Sequence, residues 1–433
     1  MERKLQLSSG LRKISSGKSI MSIMIGENIV DSLYNITLQH HQRRAGPLGF
    51  APGTAPQEYI ERNYRNSVIS QLQNFIFSFF VNSFLAEELL KLKLVIIGEP
   101  KLIDIELEPH RPAIFRFEIY PIPLTITNTW KQISNFRAPS RKNYRDLDHQ
   151  VEAFLQEEHR RTLEKASDHV SPQDWISFTI APVNTEHQPF WNDYHELLWL
   201  KIGTEETDQD AQRLFLKKKI NDVFVTQDRL IQDYCNASGD VPYSFSVHIK
   251  HHTPHNIFCF DSFRRQFKIK STKEMHHKLI EVFSFRHDIS QRRETVEAAL
   301  KLIVKQYPFP VPHELVKMEE ERITHTIYQN PDYYVYKAQE NFDDRLQALA
   351  HKQLKEAALM DAIAYAEHIT VQEQDIVGYL NLMKRPRTKE FIYFKLPETR
   401  INECESPLPH ELIYRNCLRE KVLNHIIFTL THR

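Results

Sequence analysis

The feature that most constrains the fold is a Gly/Pro-rich segment, residues 46–56, placed between two long stretches of helical periodicity. Three of the ten glycines and three of the prolines in the chain fall in this segment. Apolar residues recur at three- and four-residue steps on both sides. This spacing predicts one helix over 26–44 and a second that has Pro56 as its first helical residue and runs to about Leu90. We therefore expect a structured turn that exposes Phe50 between two helices.

Glycine is otherwise scarce in this chain of 433 residues, at about 2% against a usual value near 7%. Loops that cradle phosphate need clustered glycines where the backbone approaches a ligand. The sequence contains neither a P-loop nor a dinucleotide-binding fingerprint, and we expect no cofactor. Its 56 basic and 56 acidic residues give a formal net charge of +0, which argues against a surface bound all over to nucleic acid. We expect no DNA partner.

The cysteines and the apolar segments indicate a reduced, cytoplasmic protein. Cys235, Cys259, Cys404 and Cys417 are far apart and form no CxxC pair, so neither a disulfide framework nor a structural zinc site is indicated. The apolar run 20–25 near the N-terminus is too short for a signal sequence. The most apolar stretch, 75–85, is interrupted by polar residues and is shorter than the roughly 20 residues that span a bilayer. We expect a buried helix there and no membrane partner.

The length favours two to four domains, and the patterns predict an elongated multidomain protein of the α+β class. A strand over 16–25, the two helices and an alternating strand near 115–119 form a compact domain over 1–123. A polar linker follows over 124–145. Short β-like runs around one helix-compatible stretch indicate a small α+β domain over 146–250. Helical patterns with densely charged faces dominate 251–433 and indicate extended all-α arms.

The 46–56 segment and the elements around it resemble the ribosome-binding domain of bacterial trigger factor, whose signature loop reads Gly-Phe-Arg-Lys-Gly-Lys-x-Pro. Gly49, Phe50, Gly53 and Pro56 match this loop, whereas Ala51, Pro52 and Thr54 depart from it. Further landmarks follow in the order seen in the family: Gly98-Glu99-Pro100, the strand end Phe117-Glu118-Ile119-Tyr120-Pro121 and the helix start Val311-Pro312-His313-Glu314-Leu315-Val316. Together they extend over almost the whole chain, which therefore resembles a divergent family member.

The resemblance implies an ATP-independent chaperone that binds nascent or unfolded polypeptides and docks near the exit region of the large ribosomal subunit. It implies a ribosome-binding-like α/β domain, an FKBP-like domain and an all-α arm domain. The docking residues would be Arg43, Arg44, Gly49, Phe50, Gly53 and Pro56. Because the cationic loop positions of the family hold Ala51, Pro52 and Thr54 here, we expect weaker docking with a shallow salt dependence.

The middle region resembles an FKBP-type prolyl isomerase domain that has lost part of its pocket. Such a domain twists a proline peptide in an apolar, aromatic-lined pocket. The candidate pocket residues are Phe178, Tyr234 and Phe245. The apolar pocket segment of the family would fall where this chain has the polar stretch 208–214. We expect these aromatics to be ordinary core residues, and isomerase activity stays an open alternative.

Two further questions stay open on sequence grounds. His248, His251, His252 and His255 lie close to Cys259 and offer zinc ligands, but their spacing matches no closed tetrahedral pattern, and we expect no metal.

For the function, the chaperone competes with a prolyl isomerase and with a ribosome-independent holdase or scaffold. The client proteins and the formation of a homodimer are not determined by the sequence.

Overall fold

The computed structural model describes residues 7–432, except for residues 16, 45–48, 52, 124–125, 127, 134–135, 141–144, 164–167, 185, 191–194, 236–242, 329–332 and 402. Its N-terminal part is a four-stranded antiparallel sheet in the order β1-β2-β4-β3. The strands are β1 (Leu7–Ser15), β2 (Lys18–Ile25), β3 (Lys101–Glu106) and β4 (Ala113–Ile119). Side chains along β4 alternate between buried and half-buried, as in a strand with one face on the core.

Helices cover the buried face of this sheet, close to where the periodicity predicts them. They are α1 (Glu27–Arg44), α2 (Gln57–Ile76) and α3 (Asn82–Lys91). A single π-helical turn, Phe77–Val81, joins α2 to α3 without a break. Pro56 immediately precedes α2 instead of being its first residue. The strand β1 was not expected, because its run of Ser, Gly, Arg and Lys carries no alternating apolar pattern.

By length and composition the continuous helix from α2 to α3 is apolar enough to cross a membrane. However, 61% of its most apolar window is buried inside the protein. A long apolar helix that is covered by its own protein is typical of a core helix. This agrees with the buried helix that the sequence predicts, and the structure places that helix in one core with the first sheet.

The second sheet has five antiparallel strands in the order β13-β6-β5-β8-β7. These are β5 (Trp175–Val183), β6 (Glu196–Lys201), β7 (Val223–Thr226), β8 (Ser244–Thr253) and β13 (Leu408–Pro409). Two short helices, α5 (Gln209–Phe215) and α6 (Arg229–Tyr234), lie between its strands in the chain. The edge strand β13 comes from the C-terminal part of the chain, far outside the predicted 146–250 domain.

The two sheets share one hydrophobic core, although the sequence indicates two separate domains. The ring of Tyr243 stacks on Phe75 with a centroid distance of 4.6 Å, and its hydroxyl lies 2.5 Å from that of Thr37. Phe245 also contacts Phe75. Buried side chains from residues 21–119 and 170–249 belong to one continuous cluster. The expected boundary near residue 123 therefore does not separate two cores.

Helices build most of the remaining part. They are α4 (Arg145–Leu163), α7 (Phe260–Phe267), α8 (Thr272–Phe283), α9 (Gln291–Gln306), α10 (His313–Tyr328), α11 (Tyr333–Lys337), α12 (Phe342–Ala366), α13 (Glu373–Met383) and α14 (His410–Thr431). Two small hairpins interrupt them, β9 (Phe285–Arg286) with β10 (Ile289–Ser290) and β11 (Arg400–Ile401) with β12 (Cys404–Glu405). Although α4 falls in the predicted middle domain, its Val151 packs with the C-terminal helices.

Part of the predicted linker also packs on the C-terminal helices. Trp130, in a 3-10 helix over Asn128–Gln132, is fully buried in their core. Next to it, Lys131 forms an ion pair of 2.5 Å with Glu367. A single Trp in a polar stretch gives no periodicity, so sequence patterns could not indicate this anchoring.

Helices α10, α11 and α12 form a unit that we call the arm, residues 313–366. At its base Leu315 of α10 and Leu354 of α12 are buried in one core with α9 and α14. Toward the turn between the helices, residues 343–345 and 347–349 are exposed. The arm therefore has a buried base and a tip that presents its side chains to solvent.

Candidate functional site

The loop before α2 is held by hydrogen bonds to the end of α1. The Gly53 amide donates to the carbonyl oxygen of Gln42 over 3.0 Å, and the Gln42 side chain donates to the Ala55 carbonyl over 2.5 Å. Gly49 and Gly53 have φ angles of +99° and +83°, a region that residues with a Cβ rarely adopt. The two glycines that match the family loop thus occupy the positions where the turn requires glycine.

Phe50 is half-buried in this loop. Its ring packs against Tyr59 of α2 with a centroid distance of 5.0 Å, while Gly49, Ala51, Gly53 and Thr54 are exposed. The structure therefore brings Phe50, Gly49, Gly53 and Pro56 together at one turn. Arg43 and Arg44 lie in the last turn of α1, and their side chains and Pro52 are outside the described residues.

Two of the three aromatic residues of the candidate isomerase pocket are completely buried. Phe178 and Phe245 are 0% exposed; Phe178 packs on Phe215 at 4.7 Å, and Phe245 lies against Phe75. Tyr234 is half-buried, and its hydroxyl donates to a carboxylate oxygen of Glu196 over 3.1 Å. As packed, Phe178 and Phe245 offer no surface to a proline peptide.

Glu196 lies where three parts of the chain meet. Ser83 of α3 places its hydroxyl 2.8 Å from both carboxylate oxygens of Glu196. Burial, and next the charge of Glu411 at the start of α14, raise the pKa of Glu196 to about 8. Burial also raises the pKa of Glu411. A buried acid thus bonds the second sheet to α3 and lies close to the start of the last helix, and nothing in the sequence around Glu196 indicated this.

The polar stretch 208–214 anchors the second sheet to the C-terminal part. The buried Asp208 carboxylate accepts the backbone amide of Glu405 over 2.8 Å and the guanidinium of Arg400 over 3.2 Å. Gln212 donates to the carbonyl of Gly203. Asp208, at the start of this polar stretch, therefore holds the β11–β12 hairpin in place.

The histidines near Cys259 have separate partners. His252 pairs with the buried Asp174 at 2.7 Å, and His251 pairs with Glu373 at 2.9 Å. The backbone of Cys259 bonds the side chain of Asn381. Within the described ranges no group of three or more His, Cys, Asp or Glu residues is arranged to hold a metal ion.

The tip of the arm carries an apolar surface that the sequence analysis missed. Tyr328, Tyr334, Val335 and Tyr336 are exposed, with 60% of Tyr328, 70% of Tyr334 and 64% of Val335 accessible. We call these four residues the tip patch. The ring of Tyr333 lies beneath, 5.2 Å from Tyr328 and 5.3 Å from Tyr334 between centroids. The run of three tyrosines and one valine over 333–336 was the available signal, and it was hidden among charged residues.

Comparison with known proteins assigns two long regions of the chain to one family. The sequence-family model described as bacterial trigger factor protein matches residues 8–154. The family model of the trigger factor C-terminus matches residues 272–390. The chain belongs to the trigger factor family. The first matched region includes the 49–56 loop and the second includes the whole arm, so the two exposed features described above both lie within family regions.

Individual trigger factors are distant from this chain. It is similar to trigger factor of Desulfatibacillum aliphaticivorans, with 21% identity over 84% of both chains. Its identity to trigger factor of Mycolicibacterium smegmatis is also 21%, over 78% of this chain and 72% of the relative. A solved structure described as concerning promiscuous substrate recognition by the trigger factor chaperone covers 97% of this chain and 99% of its own, with 12% identity and a TM-score of 0.37.

Proposed function

We propose that this chain is an ATP-independent chaperone that shields apolar segments of unfolded or nascent polypeptides in the cytoplasm. The observation that carries the proposal is the tip patch, because it groups four exposed large apolar side chains at one place, whereas Leu315 and Leu354 at the arm base are buried. A cluster of exposed aromatic and aliphatic side chains at the end of a helical arm marks an interaction site. Membership of the trigger factor family supports this function over an isomerase, which no feature of the described residues favours.

The tip patch is suited to weak and exchangeable contacts. Burying one exposed apolar side chain fully against a partner stabilises a complex by about 1.5–3 kcal/mol, and ordering and association costs remove much of that gain. Tyrosine adds a hydroxyl that accepts or donates hydrogen bonds. Such a surface tolerates many client sequences and needs no nucleotide for release.

Suppression of aggregation tests the proposal. The full-length chain and its Tyr334→Ser, Val335→Ser, Tyr336→Ser triple variant are added to guanidinium-unfolded rhodanese diluted into buffer, and light scattering is followed. The matched control replaces Leu90 and Ile401 by Ser, since both are exposed apolar residues of other elements. We expect only the tip variant to lose protection. Equal protection by both variants would exclude the tip patch as the client site.

We also propose that the 49–56 loop docks on the ribosome. The half-buried Phe50 on a turn held to α1 loses little freedom on docking, and Arg43 and Arg44 supply nearby positive charge for RNA phosphate. Ala51→Arg together with Pro52→Lys restores the cations of the family loop. We expect tighter co-sedimentation with ribosomes and a steeper dependence on salt. If this variant binds no better and Phe50→Ala changes nothing, clients are met away from the ribosome.

A further inference from the structure

The outer strand of the first sheet, β1, has an open edge. It pairs with β2 from Leu7 opposite Ile25 to Ser15 opposite Lys18, and among the described residues no other strand pairs with its outer side. All residues from Gly10 to Ser15 are exposed. Since none of the described strands pairs with the backbone amides and carbonyls on that side, β1 is a template for a further strand.

Most of the features that protect sheet edges against pairing with another chain are missing at β1. Proteins protect edges by short length, proline, bulges, a covering segment or charged side chains, and of these β1 carries mainly the last, Arg12 and Lys13. The strand is nine residues long and contains no proline, and its register shift lies at its end, between Lys13 and Ser15. The opposite edge strand, β3, has a register shift in its middle, and the edge strands β7 and β13 have four and two residues.

The side chains of β1 indicate the chemistry of the missing strand. Leu11 and Ile14 are 46% and 44% exposed, so apolar contacts are available next to the open edge. Arg12 and Lys13 are exposed, β1 has no acidic residue, and the described ion pairs include neither cation. Opposite charges on facing strands attract, and like charges repel. A segment that combines apolar and acidic residues fits this edge.

We propose that β1 takes up an extended, partly acidic segment of an unfolded polypeptide as an additional strand of the first sheet. This inference rests on the proposed chaperone function and adds a second contact site, far from the tip patch in the sequence. Main-chain hydrogen bonds do not depend on the client side chains. Strand addition therefore suits a protein that binds many different clients. The cations Arg12 and Lys13 favour the acidic segments among them.

Hydrogen exchange of the full-length protein tests the proposal, with reduced and carboxymethylated lactalbumin as the unfolded, acidic probe. We expect amides within residues 7–15 to exchange more slowly when the probe is bound. The double variant Arg12→Glu, Lys13→Glu should weaken binding about three- to tenfold, by the loss of two cross-strand pairs. The control is Lys270→Glu with Lys273→Glu, two exposed cations around the N-terminus of α8, and it should bind as the unchanged protein does.

The outcomes separate the two proposals. If the unchanged protein does not bind the probe and does not prevent aggregation, the chaperone function itself is wrong. If it binds, but residues 7–15 exchange equally fast with and without the probe, strand addition is wrong and the chaperone function stands. If protection of 7–15 appears without the probe and grows with protein concentration, β1 pairs with a second copy of the chain, which also overturns the proposal.

Discussion

Replacing Glu196 by Gln should make the stability of this protein less dependent on pH. The pKa of Glu196 is raised to about 8 in the folded protein, by burial first and by Glu411 second, against about 4.3 in an unfolded chain. A group with a raised folded pKa favours folding at low pH, and its contribution is lost as the pH rises toward the folded pKa. Glutamine keeps the shape of the side chain and removes the charge.

The size of the effect follows from the pKa difference. Each unit of pKa corresponds to about 1.4 kcal/mol. Between pH 5.5 and pH 7.5 the free energy of unfolding should therefore fall by roughly 2–3 kcal/mol, because Glu196 is ionised in the unfolded chain but keeps its proton in the folded protein. Glu411, whose pKa is also raised, adds to this loss in the same direction. In the variant the contribution of Glu196 is absent, while the hydroxyls of Ser83 and Tyr234 can still bond the amide.

Urea unfolding followed by tryptophan fluorescence from pH 5.5 to pH 7.5 measures the effect, because Trp175 and Trp199 lie in the same sheet as Glu196. We expect the midpoint of the unchanged protein to fall with rising pH more steeply than that of Glu196→Gln. The control Glu186→Gln removes an exposed carboxylate and should keep the full slope. Equal slopes for Glu196→Gln and the unchanged protein would refute the assignment of a buried, titrating acid at this junction.

Three other substitutions test the packing described above. Phe178→Ala should cost about 3–5 kcal/mol of stability as a core truncation, which urea unfolding measures. If the full chain strongly accelerates proline-limited refolding and a stably folded Phe178→Ala variant does not, the domain is a working isomerase instead. Gly203→Ala should lower the melting temperature, since the added Cβ would collide with the Asp208 carboxylate, whereas Gly10→Ala meets open space and should have little effect. Arg385→Ala should cost about 3 kcal/mol, because the buried Glu158 carboxylate loses its buried cation and keeps only the half-buried Arg161 at 3.4 Å; the double variant with Glu158→Ala should be less destabilised than the two single losses added together.

The sequence by itself determined the features that depend on neighbouring residues. Glycines at 49 and 53 and Pro56 set the turn before α2, since the backbone conformations needed there are restricted by the residues themselves. The three- and four-residue spacing placed α1 and the helix from α2 to α3 within a few residues of their ends. The same local landmarks were enough to indicate the family.

Only the tertiary structure decided which elements share a core. Tyr243 stacks on Phe75, and Ser83 bonds Glu196, which lies 113 residues away in the chain. Trp130 is buried although its neighbours are polar. A helix or strand pattern shows that one face is apolar, but it does not show what will cover that face. Contacts between distant segments bury Phe178, leave the tip patch exposed and raise the pKa of Glu196. These contacts form only when the whole chain packs.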